Sequence, residues 1–140
     1  MNSLTVPNSI LLEEVATVLD EGREAVIIPT GSSMLPFIRG GRDRVVLRKA
    51  PSVAPGDIVL ARLDGRYVLH RVLSVSGGVL TLMGDGNIRG TETCTSADVI
   101  GTAVEIIRPD GRRRTPGKGR LWQAVKPVRR YILAIYRRLI

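Results

Sequence analysis

Two hydrophobic periods run along this chain. Between Ser9 and Asp20 the apolar residues Leu11, Leu12, Val15, Val18 and Leu19 recur at the spacing of one helix face. Asn8 or Ser9 can cap that helix, Glu13 and Glu14 stand in its first turn, and Glu21-Gly22 ends it. From Ala25 the pattern shortens to brief Val/Ile/Leu runs punctuated by turn residues. Strands are predicted at Ala25–Pro29, Arg44–Arg48, Asp57–Leu63, Tyr67–Val75, Val79–Met83 and Val99–Ile107. Asp64-Gly65 and Gly77-Gly78 are two-residue hairpin signals, and Pro109-Asp110-Gly111 closes the body as a turn. Thr30–Pro36 reads as a turn-rich loop. The pattern predicts a mainly β, compact antiparallel domain with a short N-terminal helix.

The last thirty or so residues differ in kind. Arg112–Arg120 is a basic linker. Beyond it Leu121, Val125, Val128, Ile132, Ile135, Tyr136 and Leu139 return to helical spacing. Lys126, Arg130, Arg137 and Arg138 fall mainly on the other side, and Arg129 lies near the boundary. Pro127 should kink this stretch or open its final helix. Three segments follow: an N-terminal helix over 1–24, a β domain over 25–110, and a basic linker with an amphipathic helix over 111–140. Trp122 is an anchor of the tail, either in the core or at an interface.

Composition sharpens this reading. With 140 residues and 44% apolar content, the chain can bury a core without covalent staples. A single cysteine, Cys94 in a Thr/Ser-rich loop, excludes a disulfide framework and any multi-cysteine metal site, and a single histidine, His70, excludes mechanisms that need two. Ten of the 21 basic residues and none of the 13 acidic ones follow Asp110, so the first 110 residues carry a net charge of −2. The overall charge of +8 belongs to the tail, and a basic tail implies an anionic partner. No apolar run reaches the length of a membrane span, and the N-terminus lacks a basic leader pattern, so the expected location is cytoplasmic or peripheral to a membrane.

Candidate chemistry lies in three strings: Gly31-Ser32-Ser33-Met34-Leu35-Pro36, Tyr67-Val68-Leu69-His70-Arg71-Val72 and Gly84-Asp85-Gly86-Asn87. A serine in a tight loop after a strand can present a rigidly held hydroxyl, but as a nucleophile it needs an adjacent base. A histidine in a strand is a rigid base, and an aspartate in a Gly-Asp-Gly turn can orient an imidazole. Each string taken alone also fits a bland role as a turn or a core histidine.

Together they resemble the signal peptidase I and LexA-like (S24/S26) serine peptidase superfamily. The Ser-Met-x-Pro element stands at Ser33–Pro36, and an Asp before a Val-rich strand at Asp43–Val46 and again at Asp57–Val59. The base-Arg-Val element stands at His70–Val72, and Gly-Asp-x-Asn at Gly84–Asn87. Where bacterial-type members carry a lysine base, this chain has His70, as in the archaeal and endoplasmic-reticulum Ser-His type. The resemblance implies a LexA/signal peptidase β fold and a serine endopeptidase acting on a leader or signal-like peptide. Ser33 would be the nucleophile, His70 the base, Asp85 the orienting carboxylate, and Ser32, Met34 and Pro36 oxyanion or substrate-binding residues. It implies no metal and no cofactor. The Ser33 N–H would be the first oxyanion donor; because Gly31 replaces a common serine, the second would come from Ser32, Thr30 or backbone, or be missing. Where some relatives have a further aspartate after Gly-Asp-x-Asn, this chain reads Arg89, Gly90, Thr91, Glu92.

The alternatives are a catalytically silent peptide-binding module of the same fold and a LexA-like self-cleaving, DNA-associated regulator. Too few residues precede the serine loop for a helix-turn-helix domain, so nucleic acid is not an expected partner. The expected partners are a peptide or protein substrate and an anionic membrane surface met by residues 121–140. Arg71, beside the base, is expected to fix its strand or steer the substrate.

Overall fold

A computed structural model describes residues 9–140 of the chain. Helix α1 spans Ser9–Asp20 and turns Leu12, Val15 and Leu19 into the core while Glu13 and Glu14 face solvent. Gly22 takes a left-handed conformation, and the amides of Gly22 and Arg23 return to the carbonyls of Leu19 and Val18. That closure satisfies carbonyls the helix end would otherwise leave open. Asn8, one of the two expected caps, and the side chain of Leu11 lie outside the described residues.

The strands are β1 (Ala25–Ile27), β2 (Arg44–Arg48), β3 (Ile58–Leu63), β4 (Arg66–Ser76), β5 (Val79–Met83), β6 (Glu92–Thr95), β7 (Val99–Ile107) and β8 (Arg113–Arg114). They form one sheet in the order β1-β2-β7-β3-β4-β5-β6, with β8 paired to β7 and every pairing antiparallel. The mainly β, antiparallel class expected from the pattern is the observed one. Both hairpin signals operate as expected: Leu63 pairs with Arg66 around Asp64-Gly65, and Ser76 pairs with Val79 around Gly77-Gly78. All four turn residues have positive φ, which suits the right-handed twist of the flanking strands.

Strand β3 is buried on both faces. Ile58 and Leu60 join a core with α1, Ile27, Val45, Leu47 and Ile106, whereas Val59, Ala61 and Leu63 join a second core with Val72, Leu80, Leu82 and Cys94. This two-sided burial explains why its sequence reads as a nearly continuous apolar run.

Two stretches depart from expectation. The Thr/Ser-rich segment around Cys94 is not a loop but β6, in which Cys94 faces inward opposite Leu80. Only one of its four residues is buried, so no apolar alternation marked it. After the expected Pro109-Asp110-Gly111 turn, the basic linker returns for two residues as β8 beside Ile106 and Ile107.

The tail forms α2 (Arg120–Ala124), a 3₁₀ turn (Lys126–Val128) holding Pro127, and α3 (Arg129–Leu139). Proline thus separates two helices, as its missing donor and fixed φ require. Trp122 and Leu133 bury against Leu35, with Phe37, Val125 and Tyr136 packed around them. Trp122 is therefore a core anchor, and Phe37 meets it edge-to-face at 6.1 Å.

Candidate active site

The serine loop leaves β1 and closes on itself, the Gly41 amide donating to the Pro29 carbonyl at 2.7 Å. Buried Asp43 secures its exit, accepting from the Arg39 amide at 2.8 Å, from Arg42 Nε at 2.8 Å and from Arg108. Inside the loop, Met34 and Ile38 plug into the α1 core while Leu35 plugs into the Trp122 cluster. Anchored on two sides, the loop holds Ser33 half-buried. Met34 packs beneath it, Ser32 is exposed, and Pro36 follows a cis peptide bond.

The Gly-Asp-Gly turn lies directly on this loop. The Gly86 amide donates to the Ser33 carbonyl at 2.7 Å. A Cβ on Gly84 would fall on the Ser33 carbonyl oxygen, and one on Gly86 on the Ser32 carbonyl oxygen. The two glycines are thus required by backbone-on-backbone contact.

Between them, Asp85 is fully buried and engaged by Arg71. Arg71 Nε lies 2.9 Å from Oδ1 and Nη2 lies 2.8 Å from Oδ2, a two-pronged ion pair. The remaining nitrogen, Nη1, donates to the carbonyls of Gly56 at 2.8 Å and Gly117 at 2.6 Å, and the guanidinium lies over Phe37. Trp122 Nε1 donates to the Asp85 carbonyl at 2.8 Å, and Arg137 donates to that of Gly86 at 3.1 Å. Asp85 and Arg71 therefore tie the serine loop's support to β4, to the linker and to the tail. The expectation that Asp85 orients the imidazole is corrected by this geometry. Neighbouring residues on a strand point to opposite faces, and Asp85 lies on the Arg71 side of β4.

The carboxylate on His70 is that of Glu92, the first residue of β6. His70 Nδ1 and Glu92 Oε1 are 2.7 Å apart, with His70 buried and Glu92 about one-fifth exposed. An ionised carboxylate only accepts, so Nδ1 donates to Glu92 and Nε2 is the ring nitrogen left for other partners. Glu92 stands in the stretch where some relatives carry a further aspartate. That position was the available signal, and a glutamate opening a polar strand concealed it.

Ser33, His70, Glu92 and Asn87 line one cleft of about 620 Å³, floored by Leu12, Ile27, Met34, Ile38, Leu60 and Leu69. Thr30 also lines it, whereas Ser32, Pro36 and Asp85 do not. No hydrogen bond joins the Ser33 hydroxyl to His70 in this structure; the two share the cleft rather than a direct contact. The Ser33 amide donates to no group among the described residues. No lysine lines the cleft: Lys49 pairs with Asp20, and Lys118 pairs with Asp57 at 2.6 Å.

Such an arrangement can do acyl-transfer chemistry: a hydroxyl on an anchored loop, an imidazole oriented by a carboxylate, an amide without an acceptor among the described residues, and an apolar floor. No curated protein matches the chain significantly. A model of the Peptidase S24-like family matches residues 5–104, a stretch that contains the serine loop, His70, the Gly-Asp-Gly turn and Glu92. The chain belongs to that family.

Proposed function

We propose that the protein is a serine endopeptidase of the Ser-His type that cleaves an extended peptide, such as a leader or signal-like segment. Ser33 is the nucleophile, His70 the general base, and Glu92 rather than Asp85 the orienting carboxylate. One observation carries this reading: the 2.7 Å contact between His70 Nδ1 and Glu92 inside the cleft that Ser33 lines. It supports a histidine base, as does the absence of lysine from that cleft.

In the proposed reaction a substrate backbone lies along the cleft, with small apolar side chains over Met34 and Ile38. Closing water out brings the Ser33 hydroxyl to His70 Nε2, a contact that often tightens only with ligand bound. Ser33 Oγ attacks the carbonyl carbon as Nε2 takes its proton, and Glu92 stabilises the imidazolium. The Ser33 amide receives the oxyanion, with the Thr30 side of the cleft supplying the second donor. His70 then protonates the leaving amine, and water hydrolyses the acyl-enzyme by the same route in reverse.

A second reading, a peptide-binding module without turnover, draws on the missing hydrogen bond between Ser33 and His70. One experiment separates the two. An acylating serine probe and a set of labelled leader-like peptides are presented to wild type, Ser33→Ala and His70→Ala. The peptidase reading expects labelling of Ser33 that needs His70, and cleavage that both substitutions abolish. Equal cleavage by wild type and Ser33→Ala sinks it, and peptide binding without labelling favours the silent module.

A further inference from the structure

The apolar residues of the tail go to two destinations. Trp122 and Leu133 are buried, and Val125 and Tyr136 pack with them against the body. Leu121 and Leu139 are each 80% exposed, Ile135 is 63% exposed, and Val128, Tyr131 and Ile132 are also open to solvent. On a helix turning about 100° per residue, α3 therefore has three sectors. Arg129, Leu133 and Tyr136 face the body. Tyr131, Ile132, Ile135 and Leu139 form an outward apolar sector about 100° wide, and exposed Val128 precedes it in the 3₁₀ turn. Arg130 and Arg138 form a third sector beside it, and Arg120 and Lys126 are exposed just upstream.

This charge is not neutralised locally. Among the described residues no salt bridge engages Arg120, Lys126, Arg130 or Arg138. We propose that the outward face of residues 121–139 is a peripheral docking surface for an anionic lipid bilayer. Its apolar sector would sit among the acyl chains near the headgroups, and its flanking cations would meet the lipid phosphates. The helix lies in the interface rather than crossing it. Its 11 residues reach roughly 16 Å, about half the hydrocarbon thickness, and no helix among the described residues is long and apolar enough to span.

Charge and shape favour lipid over the other occupants. A second copy set face to face would offer this segment no acidic side chain from its own residues 111–140 and, packed antiparallel, would bring the two arginine sectors together, which costs binding. Nucleic acid would take the arginines but leave five large apolar side chains in water. A bilayer with acidic headgroups satisfies both sectors at once. Because the inner face of the same segment holds Asp85 and Gly86, docking would seat the cleft-bearing body at the membrane.

The test is vesicle co-sedimentation of the full chain. Vesicles of phosphatidylcholine alone are compared with vesicles containing about one-third phosphatidylglycerol. Wild type is expected to pellet with the anionic vesicles and to be released by salt. Ile135→Ser/Leu139→Ser should lower partitioning at least about tenfold, and Arg130→Gln/Arg138→Gln roughly fivefold per arginine. Both variants alter exposed positions and should keep the wild-type melting temperature. Equal pelleting by wild type and Ile135→Ser/Leu139→Ser overturns the proposal, as does equal binding to neutral and anionic vesicles. Absence of vesicle binding together with a dimer that Ile135→Ser/Leu139→Ser dissolves assigns the face to a second copy. Duplex DNA capture that needs the arginines but not the apolar stripe assigns it to nucleic acid. None of these readouts depends on peptidase activity.

Discussion

Arg71 directly follows His70 on β4, and the two side chains take their carboxylates from opposite faces of the strand: His70 from Glu92, Arg71 from Asp85. One pair lines the cleft and the other is sealed behind the serine loop. Strand alternation thus separates the two pairs, with one carboxylate facing the cleft and its counterpart buried beneath the serine loop.

Glutamine at position 92 should leave the fold intact and damage turnover. Glu92→Gln keeps the shape but loses the charge that stabilises the imidazolium, so kcat against a cleaved peptide should fall by roughly 10²–10⁴ with an unchanged melting temperature. Asp85→Asn should do the reverse, lowering the melting temperature because the buried Arg71 loses its counter-charge. Thermal melts and steady-state kinetics on both variants check this. A stable Asp85→Asn with selectively lost kcat would return the orienting role to Asp85.

The two buried arginines should respond differently to replacement by methionine. Arg71→Met strands Asp85 without a partner and should cost about 3–5 kcal/mol in urea unfolding. Arg129 is 1% exposed, lies over the Trp122 ring and leaves its Nε without a partner. Burial pulls its pKa below the usual arginine value, a sign that desolvation outweighs the favourable charge of Asp85. Arg129→Met gives up hydrogen bonds to the Trp122 carbonyl and Gln123 but strands no buried charge, so it should cost less than Arg71→Met.

Cys94 should be unreactive in the native protein. Burial pushes its thiol pKa up, and Asp98 adds to the effect. A raised folded-state value favours the protonated thiol, so this contribution to stability is complete at neutral pH and is lost as pH climbs past the ordinary thiol range. A disulfide-exchange reagent should label Cys94 far more slowly in buffer than in urea. Cys94→Ala should flatten the fall in stability as pH rises above the ordinary thiol value of about 8.5. Rapid native labelling would contradict the burial.

Much of the body was legible because its signals are local. The α1 face and both glycine hairpins rest on spacing and turn chemistry within a few residues, and each formed where expected. The partner of His70 was not legible in that way. Periodicity says that His70 and Arg71 face apart, but the side on which the 84–87 turn lies depends on packing against the serine loop, a contact between distant segments. The motif carries Asp85, whose carboxylate meets Arg71 in the fold, while Glu92 reaches His70 from 22 residues away with no motif to mark it. In the tail, helical spacing marked the apolar residues but could not divide those that bury from those that stay outside. Nor could it place Arg129 inside the protein.

The family match stops at residue 104, partway through β7, whereas from farther along the chain Trp122 and Arg137 brace the turn beneath Ser33 and Gly117 holds Arg71. Excising the matched stretch would split a central strand and strip away the brace, so the smallest workable fragment must run well into α3. A trimmed version cut at that border would forfeit its own scaffolding before any question of catalysis arose.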